Sequence, residues 1–183
     1  MTSWNDKDLE ALVGNLGSFR PGEDLGQDYH IVELLGKGGE GEVYKVRNKV
    51  DDQYYVAKIC VGDEENKTFE REQKVLSELR ETGVSPHVIR SHPATADAEC
   101  HVLILDYLEG PTVREHLDQH GPSIKLASKV TRQILDALTD VHERGIVHRD
   151  IKPSNIKLVG GRGAVLFDFS IAAGKGPDTP PSA

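Results

Sequence analysis

The sequence has little cysteine and no excess of positive charge, and each shortage excludes a class of protein. Cys60 and Cys100 are the two cysteines among 183 residues, so a small secreted domain held together by disulfides is not expected. Two isolated thiols instead predict small apolar side chains in a reduced, cytoplasmic protein. The net charge is −8 at pH 7. This value argues against a nucleic-acid binder, because such binding requires clustered lysine and arginine.

A long hydrophobic run is also missing. The longest aliphatic stretch, Val102–Leu105, is far shorter than a membrane span. The chain begins with a polar, acidic segment that lacks the basic and apolar regions of a signal peptide. We therefore expect a soluble cytoplasmic protein without membrane contact.

What is present is enough apolar material for one domain or for two small lobes. Hydrophobic residues make up 37% of the chain and charged residues 28%. Residues 1–28 are predicted to form an extension, in which Asp8–Val13 is either a short helix or part of a frayed tail with one hydrophobic anchor. Beyond this segment, Gly14, Gly17, Pro21, Gly22 and Gly26 are expected to interrupt any regular element.

From Tyr29 onward, apolar residues recur with the spacings that are typical of strands and helices. An antiparallel meander of three strands is predicted at Tyr29–Leu35, Gly41–Asn48 and Gln53–Val61. A helix is predicted at Glu64–Glu81, with Phe69, Glu72, Leu76 and Leu79 on one face. A carboxylate therefore lies on the buried stripe of this helix.

The second half of the chain reads as two strand-like segments, a linker, two helices and a hairpin. The strand-like segments are Val88–Arg90 and Cys100–Asp106, and the linker is Tyr107–Gly110. The helices are Thr112–Gln119 and Ser123–Arg144, the second capped by Ser123 with Leu126, Val130, Ile134, Leu138 and Val141 inward. The hairpin pairs Ile156–Leu158 with Ala164–Phe167.

The most specific signal is the segment His148–Asn155, followed thirteen residues later by Asp168-Phe169-Ser170. Asp150 is a candidate acceptor for the proton of an attacking hydroxyl, and Lys152 can neutralise charge on a phosphoryl group. Asn155 and Asp168 offer the hard oxygen ligands that Mg²⁺ prefers. His148 is expected to be structural.

A glycine-rich segment, Gly36–Val43, lies between two predicted strands. This context disfavours a dinucleotide-binding loop, which opens a helix, and favours a hairpin folded over a triphosphate. Lys58 follows on the next strand, and Glu72 on the next helix can hold its ammonium group against the phosphates.

Together these residues resemble the protein kinase family, of the serine/threonine type, from about Tyr29 to Ala173. The resemblance implies an α+β fold: an antiparallel amino-terminal lobe with one helix, and an incomplete, mainly helical carboxyl-terminal lobe. The implied boundaries are an extension at 1–28, the first lobe at 29–106, the hinge and partial second lobe at 107–173, and a flexible tail at 174–183.

The resemblance also implies transfer of the γ-phosphate of ATP to a protein hydroxyl, with Mg²⁺. It assigns catalytic roles to Asp150, Lys152, Lys58 and Glu72, and metal binding to Asn155 and Asp168. It assigns nucleotide binding to Gly36, Gly38, Gly41, Val43, Ala57, Lys58, Asp106 and Leu108.

Two departures from the family are visible. Ser170 stands where the family usually has glycine, and its Cβ is expected to stiffen the switch between loop positions. The chain also stops within the activation segment, so the helix at Ser123–Arg144 is expected to expose an apolar face. Either a partner chain covers this face or the sequence is a piece of a longer protein.

Two alternative functions stay open. One is a kinase-like regulatory module that binds nucleotide and a partner chain without turnover. The other is a phosphotransferase that acts on a small molecule, which the neighbouring Asp150 and Lys152 and the complete glycine loop disfavour.

Overall fold

A computed structural model describes residues 19–38, 41–61, 66–93 and 100–174 of the chain. These residues belong to two compact units. The first contains the residues up to Glu70 together with Ser91–Tyr107, and the second contains Arg71–Arg90 together with the residues from Leu108 onward. The helix predicted at Asp8–Val13 and the tail beyond residue 174 lie outside the described residues.

The first unit is built on an antiparallel sheet that has six strands within the described ranges. The strands are β1 (Asp24–Leu25), β2 (Tyr29–Gly38), β3 (Gly41–Asn48), β4 (Tyr54–Val61), β5 (Ser91–His92) and β6 (Cys100–Asp106). Their order across the sheet is β1-β2-β3-β4-β6-β5. The predicted meander is confirmed, since β2 pairs with β3 and β3 pairs with β4.

Two strand predictions are corrected. The glycines of the extension do not interrupt every element, because Asp24–Leu25 pairs with Tyr29 and His30 across a tight turn as β1. The strand predicted at Val88–Arg90 is displaced to Ser91–His92.

The reason for this displacement lies in the hydrogen bonds around Val88. Val88 forms an isolated parallel bridge with Leu166, and the Ile89 N–H donates to the Leu166 carbonyl at 2.9 Å. Val88 and Ile89 are buried. The apolar pattern therefore correctly indicates that these residues are buried. Their backbone, however, bonds to Leu166 and does not pair as a strand of the six-stranded sheet.

Three helices of eight residues or more lie in the described part of the chain: α1 (Asn66–Thr82), α2 (Val113–His120) and α3 (Ile124–Glu143). The predicted face of α1 is confirmed, since Phe69, Glu72, Leu76 and Leu79 are all buried. None of these described helices is both long and apolar enough to cross a membrane.

Local capping signals fix where α2 and α3 begin. Thr112 and Glu115 form a capping box, in which each side chain accepts a hydrogen bond from the other residue's backbone N–H. Ser123 caps α3 by accepting from the Leu126 N–H. Both helices therefore start where the sequence predicts.

The buried stripe of α3 differs slightly from the prediction. Its buried residues are Val130, Ile134, Ala137 and Val141. Ala137 was missed because its small side chain adds little to an apolar pattern. The predicted inward residues Leu126 and Leu138 are half-buried.

The second unit contains a two-stranded hairpin beside α3. Its strands are β7 (Ile156–Val159) and β8 (Gly163–Leu166), which confirms the predicted hairpin. Compared with the prediction, β7 ends one residue later and β8 starts and ends one residue earlier. The Gln133 side chain of α3 accepts a hydrogen bond from the Ala164 N–H at 3.0 Å. This bond ties the hairpin to the helix.

Part of the solvent-exposed surface of α3 is apolar, as expected from the sequence. Ile124 is 88% exposed and Leu135 is 58% exposed. Next to Ile124 lies a groove of about 500 Å³, which is lined mainly by apolar side chains of α2 and α3 together with Ile151, Pro153 and Ile156.

Candidate active site

The segment that follows α3 brings Asp150, Lys152 and Asn155 into one hydrogen-bonded group. Lys152 Nζ donates to Asp150 Oδ2 at 2.6 Å. Asn155 Nδ2 donates to the same oxygen at 2.9 Å and to the Asp150 carbonyl at 3.0 Å. A single turn of 3-10 helix, Pro153–Asn155, carries the amide to this position.

This group holds both of its charged members in their ionised forms. The pKa of Asp150 is lowered, chiefly by the hydrogen bond from Lys152, with a further contribution from Asn155. The pKa of Lys152 is raised, chiefly by the hydrogen bond to Asp150, and the charge of Asp168 adds to this effect. Asp150 is therefore a carboxylate and Lys152 an ammonium group over the whole physiological pH range.

His148 lies beneath this group and is fully buried. Its Nδ1 accepts a hydrogen bond from the Asp150 N–H at 3.2 Å, and its Nε2 lies 3.1 Å from the Phe167 carbonyl. Burial lowers the pKa of His148, so the imidazole is neutral at pH 7, with its proton on Nε2. The side chain thus links the backbone at Asp150 to the strand that leads to Asp168, which is the structural role expected for it.

The segment Asp168-Phe169-Ser170 is anchored by its central residue. The Phe169 ring is fully buried and meets the His148 ring edge-on at a centroid distance of 4.6 Å. The Phe169 N–H donates to the Glu72 carboxylate of α1 at 3.2 Å. Glu72 is itself only 2% exposed, so this buried carboxylate fixes the backbone next to Asp168.

Two residues of the site adopt a backbone conformation that is unusual for side chains other than glycine. Arg149 has a φ of 69° and Asp168 has a φ of 65°. Such left-handed residues carry a conformational cost and concentrate at functional sites. Their neighbours Asp150 and Phe169 hold both residues in place through the contacts to His148 and Glu72.

The donor set on this unit suits a hard divalent cation such as Mg²⁺. Both hydrogen bonds of Asn155 to Asp150 use the amide nitrogen, so the amide oxygen is the atom left for a metal. Asp168 supplies a carboxylate within electrostatic reach of Lys152. Mg²⁺ commonly takes one or two protein oxygens and completes its shell with phosphates and water. Within the described ranges no cluster of three or more His, Cys, Asp or Glu residues could hold an ion by itself.

The predicted nucleotide-binding glycines on the first unit fall into two groups. Gly41 has a φ of 106°, and a Cβ there would overlap the Ile59 carbonyl oxygen, so the fold itself requires glycine. Gly36 and Gly38 have open space where a Cβ would lie. The packing of the protein therefore does not explain glycine at positions 36 and 38.

Lys58 lies directly opposite Val43 in the β3–β4 pair, so the two side chains share one face of the sheet. Ala57 does not share this face. It pairs with Tyr44, and both are completely buried in the core of the other face.

The assignment of Ala57 to nucleotide binding is therefore wrong, because successive residues of a strand point to opposite faces. Val56 lies two residues from Lys58 and therefore shares its face of the sheet. The period of two along Val56-Ala57-Lys58 is the sequence signal that identifies Val56, and not Ala57, as the residue on this face.

The predicted hinge residues Asp106 and Leu108 are held by their side chains. The Asp106 carboxylate lies 2.8 Å from His92 Nε2, and Leu108 is buried. Tyr107, between them, covers the Lys45 ammonium, which lies 4.4 Å from the centroid of its ring and 4.5 Å from that of Tyr54. Any contact of Asp106 and Leu108 with a nucleotide base is accordingly expected through their backbone groups.

The protein kinase domain family matches residues 29–180 of the chain. The chain is 29% identical over 157 residues to serine/threonine-protein kinase PrkC of Bacillus subtilis, covering 82% of the chain and 24% of that protein. It is 30% identical over 171 residues to serine/threonine-protein kinase PkaA of Streptomyces coelicolor, covering 81% of the chain and 30% of that protein.

A similar match, 29% identical over 157 residues, is found with serine/threonine-protein kinase 36 of Pongo abelii. It covers 84% of the chain and 12% of that protein. The chain thus spans between 12% and 30% of the length of these three relatives.

Proposed function

The chain belongs to the protein kinase family, and from this membership we propose that it transfers the γ-phosphate of ATP to a serine or threonine hydroxyl of a protein substrate. The observation that carries the proposal is the hydrogen-bonded group of Asp150, Lys152 and Asn155. The matched relatives are serine/threonine-protein kinases, which favours the same reaction.

Asp150 is the proposed base for the attacking hydroxyl. Its carboxylate would accept the hydroxyl proton as the substrate oxygen forms a bond to the γ-phosphorus. The bond between that phosphorus and the bridging oxygen breaks, and ADP leaves with the electron pair. Because Lys152 and Asn155 both hold Oδ2, the second oxygen, Oδ1, is the proposed acceptor.

Lys152 has a second proposed role next to the base. Its ammonium group would neutralise negative charge on the phosphoryl group during transfer. Mg²⁺, held by Asn155 and Asp168, would neutralise the phosphates of ATP. The carboxylates of Asp150 and Asp168 keep the lysine protonated, since both raise its pKa.

The proposed nucleotide contacts of the first unit are the backbone at Gly36 and Gly38, the side chains of Val43 and Lys58, and the backbone of Asp106. The open space at the two glycines supports their role, because a side chain there would keep the backbone amides from phosphate oxygens. Leu108 is the proposed base contact on the second unit. The ion pair between Lys58 and Glu72 remains a prediction.

Four further assignments from the sequence also remain predictions. They are the domain boundaries, the cytoplasmic location, the protein substrate and a partner chain on the exposed face of α3. The Ile124 and Leu135 side chains on that face are compatible with such a partner.

Transfer of labelled phosphate tests the proposed function. The full-length protein should transfer label from γ-labelled ATP to a generic protein substrate in the presence of Mg²⁺, and Asp150→Asn should reduce transfer by about 10²–10⁴-fold. Asp118→Asn, an exposed carboxylate of α2, is the matched control and should keep full activity. If ATP raises the melting temperature but no labelled protein forms, the regulatory module without turnover is the better reading. Label on a small molecule and on no protein would favour the small-molecule phosphotransferase.

A further inference from the structure

Lys157 is a charged residue in the middle of β7 that the sequence motifs do not include. Its neighbour Ile156 is buried and lines the groove beside α3. Because side chains alternate along a strand, Lys157 points to the opposite face of the hairpin. The Phe167 N–H donates to the Asn155 carbonyl at 3.1 Å, which extends the ladder by one residue. Lys157 also lies two residues along the chain from Asn155, one of the two proposed metal ligands.

The Lys157 ammonium is anchored to the segment that follows Leu108. Its Nζ donates to the Gly110 carbonyl at 3.0 Å. The charge of Lys157 also acts on the Glu115 carboxylate. The pKa of Glu115 is lowered, chiefly by the hydrogen bond from the Thr112 N–H, and Lys157 makes the smallest contribution to this shift. The ammonium group thus lies beside the Gly110 carbonyl, in the segment that follows Leu108.

Packing of this segment on β7 does not depend on the lysine. The Leu158 N–H donates to the Pro111 carbonyl at 2.9 Å, and Thr112 forms a bridge with Lys157 through the backbone. Gly110, with a φ of 136°, lies so close to Leu158 that a Cβ would overlap the Leu158 carbonyl oxygen. The backbone bridge and the close packing at Gly110 already dock the segment, so its docking does not require the ammonium group.

Resting on the proposed kinase function, we propose that Lys157 is a specificity-determining residue that donates a hydrogen bond to a ribose hydroxyl of the nucleotide. Leu108 is the proposed contact for the base, and Asn155 is the proposed ligand of the metal at the phosphates. The sugar joins these two parts of the nucleotide. Lys157 lies two residues along the chain from Asn155, and its ammonium group is bonded to Gly110, two residues from Leu108. An ammonium group has three donors, and the bond to Gly110 uses one.

Binding of deoxynucleotides measures this contact without turnover. Dissociation constants of the full-length protein for ADP, 2′-deoxy-ADP and 3′-deoxy-ADP, each with Mg²⁺, are determined by calorimetry. We expect one of the two deoxynucleotides to bind about tenfold more weakly than ADP, as is typical of a lost charge-assisted hydrogen bond. In Lys157→Met, which keeps the aliphatic stem, this ratio should fall to about two or less.

Two further variants keep the test decisive. Lys157→Leu also lacks a donor and should lose the discrimination as Lys157→Met does, and it guards against a folding defect of the methionine variant. Lys129→Met removes an exposed lysine of α3 and should keep the wild-type ratio. The inference is overturned if both Lys157 variants keep the wild-type ratio of the deoxynucleotide and ADP dissociation constants. It is also overturned if the wild-type protein binds ADP and both deoxynucleotides equally well. Failure of the wild-type protein to bind ADP at all would instead contradict the proposed function, and the inference with it.

Discussion

The ammonium group of Lys152 donates a hydrogen bond of 2.6 Å to the carboxylate of Asp150. The proposed base and the proposed phosphate-neutralising cation are therefore a single electrostatic pair. Each partner favours the ionised form of the other, since the pKa of Asp150 is lowered and that of Lys152 is raised. Removal of Lys152 should consequently change both the base and the charge next to the phosphoryl group, and these two effects are separable by pH.

Lys152→Met should raise the pKa of Asp150 from its lowered value, because the strongest contribution to the lowering is lost. The carboxylate remains ionised at pH 7 in both proteins, since its ordinary pKa is 3.8. A loss of transfer at pH 7, which we expect to be about 10²-fold, would then report the missing cation and not a protonated base. Carbon-13 NMR titration of the Asp150 carboxylate measures the first effect. An Asp150 pKa that does not move in Lys152→Met would contradict the pairing.

His148 should make the stability of the protein depend on pH. Burial lowers its pKa below the ordinary value of 6.5, so the unfolded chain binds the proton more readily than the folded protein. This contribution to stability is fully present above pH 6.5 and is lost as the pH falls from there through the lowered value. The midpoint of urea unfolding should therefore decrease between pH 7.5 and pH 5.5.

His148→Gln should show a smaller decrease over the same interval, whatever its stability at pH 7.5. His120→Gln, at an exposed position of α2, should keep the wild-type dependence. Equal pH dependence in the wild-type protein and in His148→Gln would show that other groups cause the effect.

Local signals in the sequence were sufficient for most elements of the fold. The caps Thr112 and Ser123 place the starts of α2 and α3, because a capping side chain bonds to backbone only two or three residues away. The hairpin β7–β8 was equally readable from glycines between two apolar runs. The sequence motif also placed Asp150, Lys152 and Asn155 together, since five residues of chain leave them little freedom to separate.

Features that depend on distant residues could not be predicted in this way. The hydrogen bond from Phe169 to Glu72 joins residues separated by 97 positions, and no local pattern announces it. The bridge between Val88 and Leu166 also joins residues that are far apart in the sequence, so local patterns do not predict it. Ala57 is different, because the feature that decides its position is local: the period of two along β4 puts Ala57 and Lys58 on opposite faces of the sheet.

Gly38 and Gly41 should respond differently to alanine. Gly41→Ala should destabilise the protein by more than about 1–2 kcal/mol, because a left-handed φ carries that cost and the Cβ would also overlap the Ile59 carbonyl. Gly38→Ala should leave the melting temperature unchanged, since its Cβ meets open space. Its affinity for ATP with Mg²⁺ should nevertheless fall, because the methyl group would hold phosphate away from the backbone. Full ATP affinity in Gly38→Ala would remove this segment from the proposed nucleotide site.

Glu72 should show separate structural and catalytic roles. Glu72→Ala leaves the buried Phe169 N–H without its acceptor and should reduce the free energy of unfolding by about 1–3 kcal/mol. Glu72→Gln keeps an acceptor oxygen but removes the charge, so it should be more stable than the alanine variant while transfer is still lost. Glu78→Ala, at an exposed position of α1, is the control for helix effects. Wild-type transfer in Glu72→Gln would contradict the predicted ion pair with Lys58.

Ser170→Gly should loosen the segment that carries Asp168. Ser170 is 7% exposed and does not have a positive φ, so the protein does not need glycine there. The segment is otherwise fixed by a hydrogen bond from the Ala172 N–H to the Phe169 carbonyl and by two between Val147 and Ala173. Glycine adds backbone freedom to the unfolded chain, and we expect a loss of about 0.5–1 kcal/mol in the free energy of unfolding.

The location of the added freedom distinguishes a local effect from a global one. Amide hydrogen exchange should accelerate at residues 169–173 in Ser170→Gly. In Ser128→Gly, an exposed position of α3, a similar loss of about 0.5–1 kcal/mol is expected from helix propensity alone, but exchange at residues 169–173 should stay slow. Equal exchange rates at residues 169–173 in the two variants would show that Ser170 does not stiffen this segment. The four hydrogen bonds that involve Phe169, Ala172 and Ala173 would then be sufficient to hold the backbone next to Asp168.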